Sequence, residues 1–594
     1  MDISIHQTHQ AVADFDNIKK YLVDLFNSIT QETSEVKCLH VFPEMFLTGY
    51  PLQDICLQKS FIDKYKNFLE SIDELSIKYG KLSNQSENHC FLIGGLKYIY
   101  DEEDSKLPSK IENVVYKLFL GKKLEYIYSK RLLPNYDIFE EKKYYTKGEK
   151  ATYFEFDNQI IAPLICEDMW HSTIHNVDPV EDLFNLKINI DLVVNLSASP
   201  YNLYKGNSRF TRAKYISKRL QAPFLYVNRV GSEDEIIFDG GSFIVADDEV
   251  VEQLPSFEQA HRKVSLSKYD FSGIVPKKSN DNTWEGLFSP SLEFHKNELP
   301  RLKSLSFETC EELIKVLGFG VQEYAQKTGF NKFLIALSGG LDSVLVLALL
   351  KLSLKENQSI EAIYMPSEFS RDISLNISKE ICEKAKIPLH VLPIKSTHHF
   401  LRDLFVDHLE MELEGLSDEN IQSRLRGLFL YARSNFTNSL VINTSNKSEL
   451  SVGYSTIYGD SVGAISLLGD LYKSEAYQLA KHIHDHYDGL VPMDVITRPP
   501  SAELRSDQVD TDSLPPYDRL DAIMEGILSY RLSGKDLVEA GFDKNEVLRV
   551  LNLYRNTEFK RNQFCPIIKL KSKSYGFGYR VPITKNSNYL IWDI

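Results

Sequence analysis

The chain has 594 residues, 43% hydrophobic and 25% charged, with a formal net charge of −15, the profile of an ordinary globular protein too long for a single core. The acidic balance excludes broad nucleic-acid binding, which needs clustered Lys and Arg against phosphate, and no apolar run is long enough to cross a bilayer. Cys38, Cys56, Cys90, Cys166, Cys310, Cys382 and Cys565 are scattered without a C-x-x-C pair; this argues against a disulfide frame or a cysteine-rich zinc site and, with a start that lacks a secretory signal, predicts a cytoplasmic protein.

The first half alternates helix-like stretches with apolar runs. Helical periodicity appears over 18–27 and 60–79, and buried strands are predicted at 38–44, 90–96, 160–167, 191–199 and 224–231. The acidic run 101–104 reads as a solvated loop. Glu44, Lys130 and Cys166 stand at the ends of predicted strands, where layered α/β folds put their chemistry. A thiol attacks a carboxamide only as thiolate, so a nearby carboxylate base and a cation would serve both proton removal and the developing oxyanion. Spacing alone does not bring the three together, and a lone cysteine is more often a buried structural one.

From 269 to 303 Pro, Ser, Asn and Gly are dense and periodicity disappears, which predicts a linker at 269–305 between domains 1–268 and 306–594. A helix follows over 308–327, then FLIALSGGLDS (333–343) running into an apolar helix. The Gly339–Gly340 pair lets backbone N–H groups approach an anion, Ser338 and Ser343 add hydroxyls, and Asp342 suits a divalent cation on phosphate oxygens. No Lys follows the glycines, so this is not a γ-phosphate loop of the G-x-x-x-x-G-K-[ST] kind. Further strands at 361–367, 387–394 and 437–446 complete a βαβ rhythm, which predicts a doubly wound sheet with its ligand at the strand C-termini. Glu449 would share a magnesium ion with Asp342, and Asp460 and Lys473 would contact a charged substrate. Arg424 and Arg426 fit either a phosphate clamp or an exposed helix face. His482 and His486, one helical turn apart, read as a solvated face, as does the His398–His399 pair. The basic, aromatic last forty or so residues read as an irregular extension.

Three motifs of the first half, FPE-x-x-x-TGYP, K-x-x-LPNY-x-x-F-x-E and ICEDMW, together resemble the nitrilase superfamily of carbon–nitrogen hydrolases over about residues 1–265. The resemblance implies an αββα sandwich with Glu44 as general base, Lys130 as oxyanion partner, Cys166 as nucleophile and Glu141 orienting the lysine. SGGLDS resembles the pyrophosphate loop of the ATP pyrophosphatases, which implies a Rossmann-like parallel sheet. Both halves together, with the blocks 419–435, 443–475 and 498–523, resemble the glutamine-dependent NAD synthetase family. The implied reaction is ATP-dependent amidation of nicotinic acid adenine dinucleotide through an adenylylated carboxylate, with ammonia from glutamine passing through a tunnel.

The same resemblance implies that Tyr136, Ser199 and Lys205 bind glutamine. It assigns Ser338, Gly339, Gly340, Asp342, Ser343, Met365, Thr444 and Lys560 to ATP, and Arg424, Asp460 and Lys473 to the deamido-NAD substrate. Asp342 and Glu449 would hold Mg2+, and the chain would form a homo-oligomer on a dimer core. Ser232 and Glu233 stand where the family more often has Gly and Gln, which touches the coupling of the two activities. A binding protein that keeps both folds without chemistry would lack at least one of Glu44, Lys130, Cys166, Asp342 and Glu449; all five are present. A purine- or asparagine-directed ligase would not carry the 443–463 block.

Overall fold

The computed structural model describes the chain except residues 33–34, 84–85, 103–106, 171–175, 204–205, 247, 266–301 and 586–594. It divides into two compact units, Met1–Ser291 and Leu292–Ile594. Residues 269–301 of the predicted linker, Lys205 and part of the 101–104 run lie outside the described residues; Asp101 and Glu102 are exposed. No described helix is long and apolar enough to cross a membrane.

The strands of the first unit are β1 (Asp2–Gln7), β2 (Cys38–Val41), β3 (His89–Ile99), β4 (Lys110–Phe119), β5 (Glu125–Ser129), β6 (Phe154–Phe156), β7 (Gln159–Ile165), β8 (Leu192–Ser197), β9 (Phe224–Asn228), β10 (Val230–Glu233), β11 (Ile236–Asp239), β12 (Phe243–Ala246), β13 (Glu249–Gln253) and β14 (Ala260–Ser265). They form two six-stranded sheets, β14-β1-β2-β3-β4-β5 and β13-β12-β9-β8-β7-β6, and a β10-β11 hairpin. Each large sheet has three parallel central strands, and antiparallel strands flank them.

Period-two alternation sorts the side chains into layers. Ile3, Leu39, Val41, Cys90 and Leu92 meet Ile161, Leu192, Val194 and Leu225 in one core between the sheets. The opposite faces carry Phe91 and Ile93 under the helices Phe15–Thr30 and Lys59–Leu82, and Val193 and Tyr226 under Pro179–Asn185 and Gly206–Leu220. This is the expected αββα sandwich. Ser232 and Glu233 fall in the β10-β11 hairpin; Ser232 is buried and Glu233 pairs with Arg229 at 3.0 Å.

The second unit holds one five-stranded sheet of β15 (Lys332–Ala336), β16 (Ser359–Tyr364), β17 (Leu389–Val391), β18 (Leu440–Asn443) and β19 (Ile465–Ser466). Its order is β17-β16-β15-β18-β19 and every pairing is parallel. The chain leaves β15 toward one edge and returns beside it at β18, so a topological switch point lies between them, where such folds open a crevice. Helix Leu341–Ser353 starts at that point and is apolar nearly all round, as its burial requires. The C-terminal extension joins the fold: Ser466 N donates to Pro566 O at 2.9 Å, and Ile567 and Tyr575 pack with Leu450, Ile523 and Leu551.

The Glu44 loop rests on β3. Phe42 N donates to Leu92 O and Leu47 N to Gly94 O, both at 3.0 Å. A Cβ at Gly94 would lie 2.5 Å from both Pro43 O and Met45 N, so only glycine lets loop and strand meet. Gly94→Ala should therefore cost about 1–3 kcal/mol of stability; an unchanged denaturation midpoint would contradict this packing.

Candidate active sites

Three separate elements deliver the first site. Glu44 sits in the loop after β2, Lys130 directly follows β5 with its N–H on Asn113 O at 2.8 Å, and Glu141 opens the short helix Glu141–Tyr144. Lys130 Nζ donates to Glu44 Oε1 at 2.8 Å and to Glu141 Oε1 at 2.7 Å. Lys130 is 1% exposed and both carboxylates 2%. Glu44 is held on both oxygens, by Asn113 Nδ2 at 2.8 Å on Oε1 and by Ala198 N at 2.8 Å on Oε2. Tyr50 OH donates to Glu141 at 2.9 Å. Burial opposes the Lys130 charge, but Glu141 and Glu44 outweigh it and hold its pKa well above the ordinary range. Burial lifts Glu141 to about 7 against the pull of Lys130.

Cys166 follows the last residue of β7 at φ 44°, a left-handed conformation uncommon outside glycine, and opens the 3-10 turn Cys166–Met169. Asp168 fixes that turn. Its carboxylate accepts from Ile165 N (3.1 Å), Arg131 N (3.0 Å), Leu132 N (2.8 Å) and Tyr128 OH (2.8 Å), joining the cysteine turn to the lysine segment. Burial raises Asp168 to about 6. The Cys166 thiol is pushed well up, first by burial and then by Glu44, with Lys130 opposing. A resting thiol beside a carboxylate and a fixed ammonium is equipped for base-assisted attack on a carbonyl.

Tyr136 donates to Glu167 at 2.8 Å, next to the cysteine. Ser199 Oγ accepts from Arg209 at 3.2 Å, and Arg209 pairs with Asp239 at 2.7 Å. Asn113, Glu167, Asp168 and Arg209 are site residues that sequence reasoning missed. The acidic pair inside ICEDMW was the available signal for two of them.

In the second unit the SGGLDS loop joins β15 to its helix. Ser338 N donates to Ser343 Oγ and Gly340 N to Ser338 Oγ, both at 3.2 Å. Gly339 has φ 76°, and a Cβ there would lie 2.2 Å from Ser374 O. The loop opens onto a cavity of ≈ 240 Å³ lined by Ser338, Gly340, Asp342, Ser343, Met365, Thr444, Glu449, Asp460 and Lys473. Lys473 Nζ stands 2.5 Å from Asp342 Oδ2 and 3.5 Å from Glu449 Oε1. Burial, then the Asp342 charge, lifts Glu449 to about 8. Two carboxylates converging on one ammonium form a hard-oxygen donor set that fits Mg2+.

The structure does not bring every expected residue to this cavity. Arg424 is exposed, with Nε on Ile457 O at 3.2 Å; Arg426 lines the cavity instead and donates to Met365 O at 2.9 Å. Lys560 Nζ is bound to Gly453 O (2.7 Å) and Ser455 O (2.6 Å), the carbonyl end of helix Lys447–Val452. Arg498, Glu503 and Asp510 also line the cavity and were missed; Arg498 pairs with Glu503 at 2.8 Å and Tyr517 OH holds Asp510 at 2.8 Å. Two expected surface histidines are buried. His398 is bonded to Asp418 at 2.8 Å and His482 to Glu311 at 2.6 Å.

A carbon-nitrogen hydrolase family model matches residues 3–269 and an NAD synthase family model matches residues 313–564. The glutamine-dependent NAD(+) synthetase of Synechocystis sp. is 34% identical over 91% of this chain and 92% of its own length. That of Acinetobacter baylyi is 31% identical over 98% of both chains. The solved structure of the Acinetobacter baumannii glutamine-dependent NAD+ synthetase with ADP matches with a TM-score of 0.69 at 28% identity, covering 98% of each chain.

Glu449 allows a test of the charge arrangement. Its pKa near 8 lies above the ordinary 4.5, so the folded state favours the protonated acid and loses that stabilisation as pH rises through about 8. In buffer free of divalent cations, Glu449→Gln should be more stable than the unmodified chain at alkaline pH, by about 1–2 kcal/mol after discounting for partial solvation. The gap should close toward pH ~5; a gap independent of pH in thermal melts would refute the assignment.

Proposed function

This chain belongs to the glutamine-dependent NAD(+) synthetases, and we propose that its two sites divide one reaction, a glutaminase centred on Cys166 and an adenylylating amidation centred on the SGGLDS loop. The observation that carries this reading is the buried cluster in which Lys130 joins Glu44 and Glu141 in the unit that holds Cys166. It is built for carboxamide hydrolysis, and the other unit holds a separate phosphate-type loop.

At the first site, Cys166 Sγ attacks the glutamine carboxamide carbon while Glu44 takes the thiol proton. Lys130 stabilises the oxyanion, Glu44 returns the proton to the leaving nitrogen, and ammonia departs. Water, deprotonated by Glu44, then hydrolyses the thioester to glutamate and regenerates the thiol. The fixed hydrogen bonds on Glu44 hold it in one orientation through both halves. Tyr136 and Ser199 border this site, and with Lys205 they are the proposed glutamine contacts.

At the second site, a carboxylate oxygen of the pyridine ring in nicotinic acid adenine dinucleotide attacks the α-phosphorus of ATP, and pyrophosphate leaves. Ammonia then attacks the activated carbonyl, loses a proton and expels AMP, leaving the amide of NAD. The loop N–H groups and hydroxyls would cradle the phosphates. Asp342 and Glu449 would hold Mg2+, which supplies charge neutralisation on phosphate oxygens when bound. Asp460, Lys473 and Arg426 face the same cavity and would position the dinucleotide.

Cys166→Ala should abolish NAD formation from glutamine and leave formation from ammonium intact. Equal loss from both donors in a folded variant would overturn the division of labour. Asp342→Asn should remove synthesis from either donor, by roughly 100-fold or more; retained synthesis would displace Asp342 from the proposed role.

A further inference from the structure

Outside both sites, the first unit buries a row of imidazoles on neighbouring strands. In register, β2 lies beside β1 with Ser4 opposite His40, and beside β3 with Cys38 opposite His89. Because side chains alternate, Cys38, His40 and His89 share the sheet face under helix Phe15–Thr30, while Leu39, Val41 and Cys90 face the inter-sheet core. One donor atom from each of Cys38, His40 and His89 lies within 4.8 Å of the others, and all three residues are buried. Among the described residues this is the one group of three or more His, Cys, Asp or Glu so arranged.

The imidazole pair stands at hydrogen-bonding distance, close to the spacing that a metal needs. His40 Nε2 and His89 Nδ1 face one another at 3.0 Å. A tetrahedral zinc ion with bonds of about 2.0–2.1 Å separates two nitrogen ligands by roughly 3.4 Å, so a shift of a few tenths of an ångström admits it. The outer nitrogen of His40 already has the kind of partner that a ligating imidazole uses. His40 Nδ1 lies 3.0 Å from His6 Nε2, and His6 Nδ1 lies 2.9 Å from Tyr21 OH, a chain along which one N–H direction can run. His89 Nε2 is buried without a hydrogen-bond partner, and Glu32 stands 3.9 Å away. Glu32 is itself partly exposed and also 3.7 Å from Lys263.

We propose that Cys38, His40 and His89 form a structural site for a borderline-soft divalent metal, zinc by ligand chemistry, with Glu32 as the rim carboxylate that serves His89 or completes the coordination. One thiolate and two neutral imidazoles leave a zinc centre at +1, and Glu32 brings it to neutrality, which burial demands. Binding releases one proton, from the Cys38 thiol; each imidazole keeps one N–H, on His40 Nδ1 and His89 Nε2. The ion would tie β2 to β3, and β2 runs directly into the loop that carries Glu44.

The test uses the full chain, stripped with chelator and reloaded with Zn2+ or with Co2+ as a spectroscopic stand-in. One equivalent of zinc should survive gel filtration, and the cobalt form should show a thiolate charge-transfer band. Cys38→Ser should abolish the band and weaken retention roughly tenfold or more, whereas Cys166→Ala should keep both. Retention no better than in Cys38→Ser, or a band lost only in Cys166→Ala, would overturn the site. Should Cys38→Ser fail to fold, X-ray absorption on the zinc-loaded unmodified chain decides. One sulfur at about 2.3 Å with nitrogens at about 2.0–2.1 Å is expected; a shell without sulfur refutes the proposal.

Discussion

A lysine taken out of water must be surrounded by negative charge, and in the glutaminase half that requirement organises the site. Lys130 is wholly buried between Glu44 and Glu141, which come from different parts of the chain. Removing one partner of such a cluster costs about 3–5 kcal/mol, because a charge is left buried without compensation. Docking of the three loops and assembly of the site are therefore one event. Fixed orientation follows: an ammonium caught between two carboxylates cannot swing, so it faces a position set by the fold. The ligase half repeats the device with Lys473 between Asp342 and Glu449, but there the group lines a cavity rather than a closed core.

Strand ends do the rest. Glu44, Lys130 and Cys166 lie within a few residues of the ends of β2, β5 and β7, where the backbone is still held but free to leave the strand conformation. Cys166 at positive φ is strained, and the four donors on Asp168 keep it so. At the β15–β18 switch point, Gly339 occupies a conformation and a space closed to any side chain, which puts the loop N–H groups at the cavity mouth.

Local pattern made much of this legible. Buried apolar runs and period-3.6 patterns placed β2, β3, β7, β8, β9 and the two long helices of the first unit, with ends off by a few residues where caps decide them, while β1, also central in its sheet, was missed. Short strands such as β5, β19 and the β10-β11 hairpin carry too few residues for a period to show. At Arg424 and Arg426 the helix was legible and the face was not: two residues apart are about 200° apart around the axis, and only the fold says which turns inward. The family resemblance put Lys560 on ATP, yet its ammonium caps carbonyls at Gly453 and Ser455 more than a hundred positions away. His398 and His482 read as exposed because Asp418 and Glu311, which make their burial possible, are remote in sequence or unmarked. Arg498, Glu503 and Asp510 come from a Pro-rich stretch with no periodicity to place it.

If the two sites divide one reaction, nitrogen released at Cys166 becomes the amide of NAD. The most direct measurement supplies ATP, magnesium and nicotinic acid adenine dinucleotide with glutamine carrying heavy nitrogen in its side-chain amide, and reads the product by mass spectrometry. Heavy nitrogen should appear in the carboxamide of NAD, with glutamate formed alongside. Glutamine hydrolysis without labelled NAD, in a chain that still makes NAD from ammonium, would contradict it.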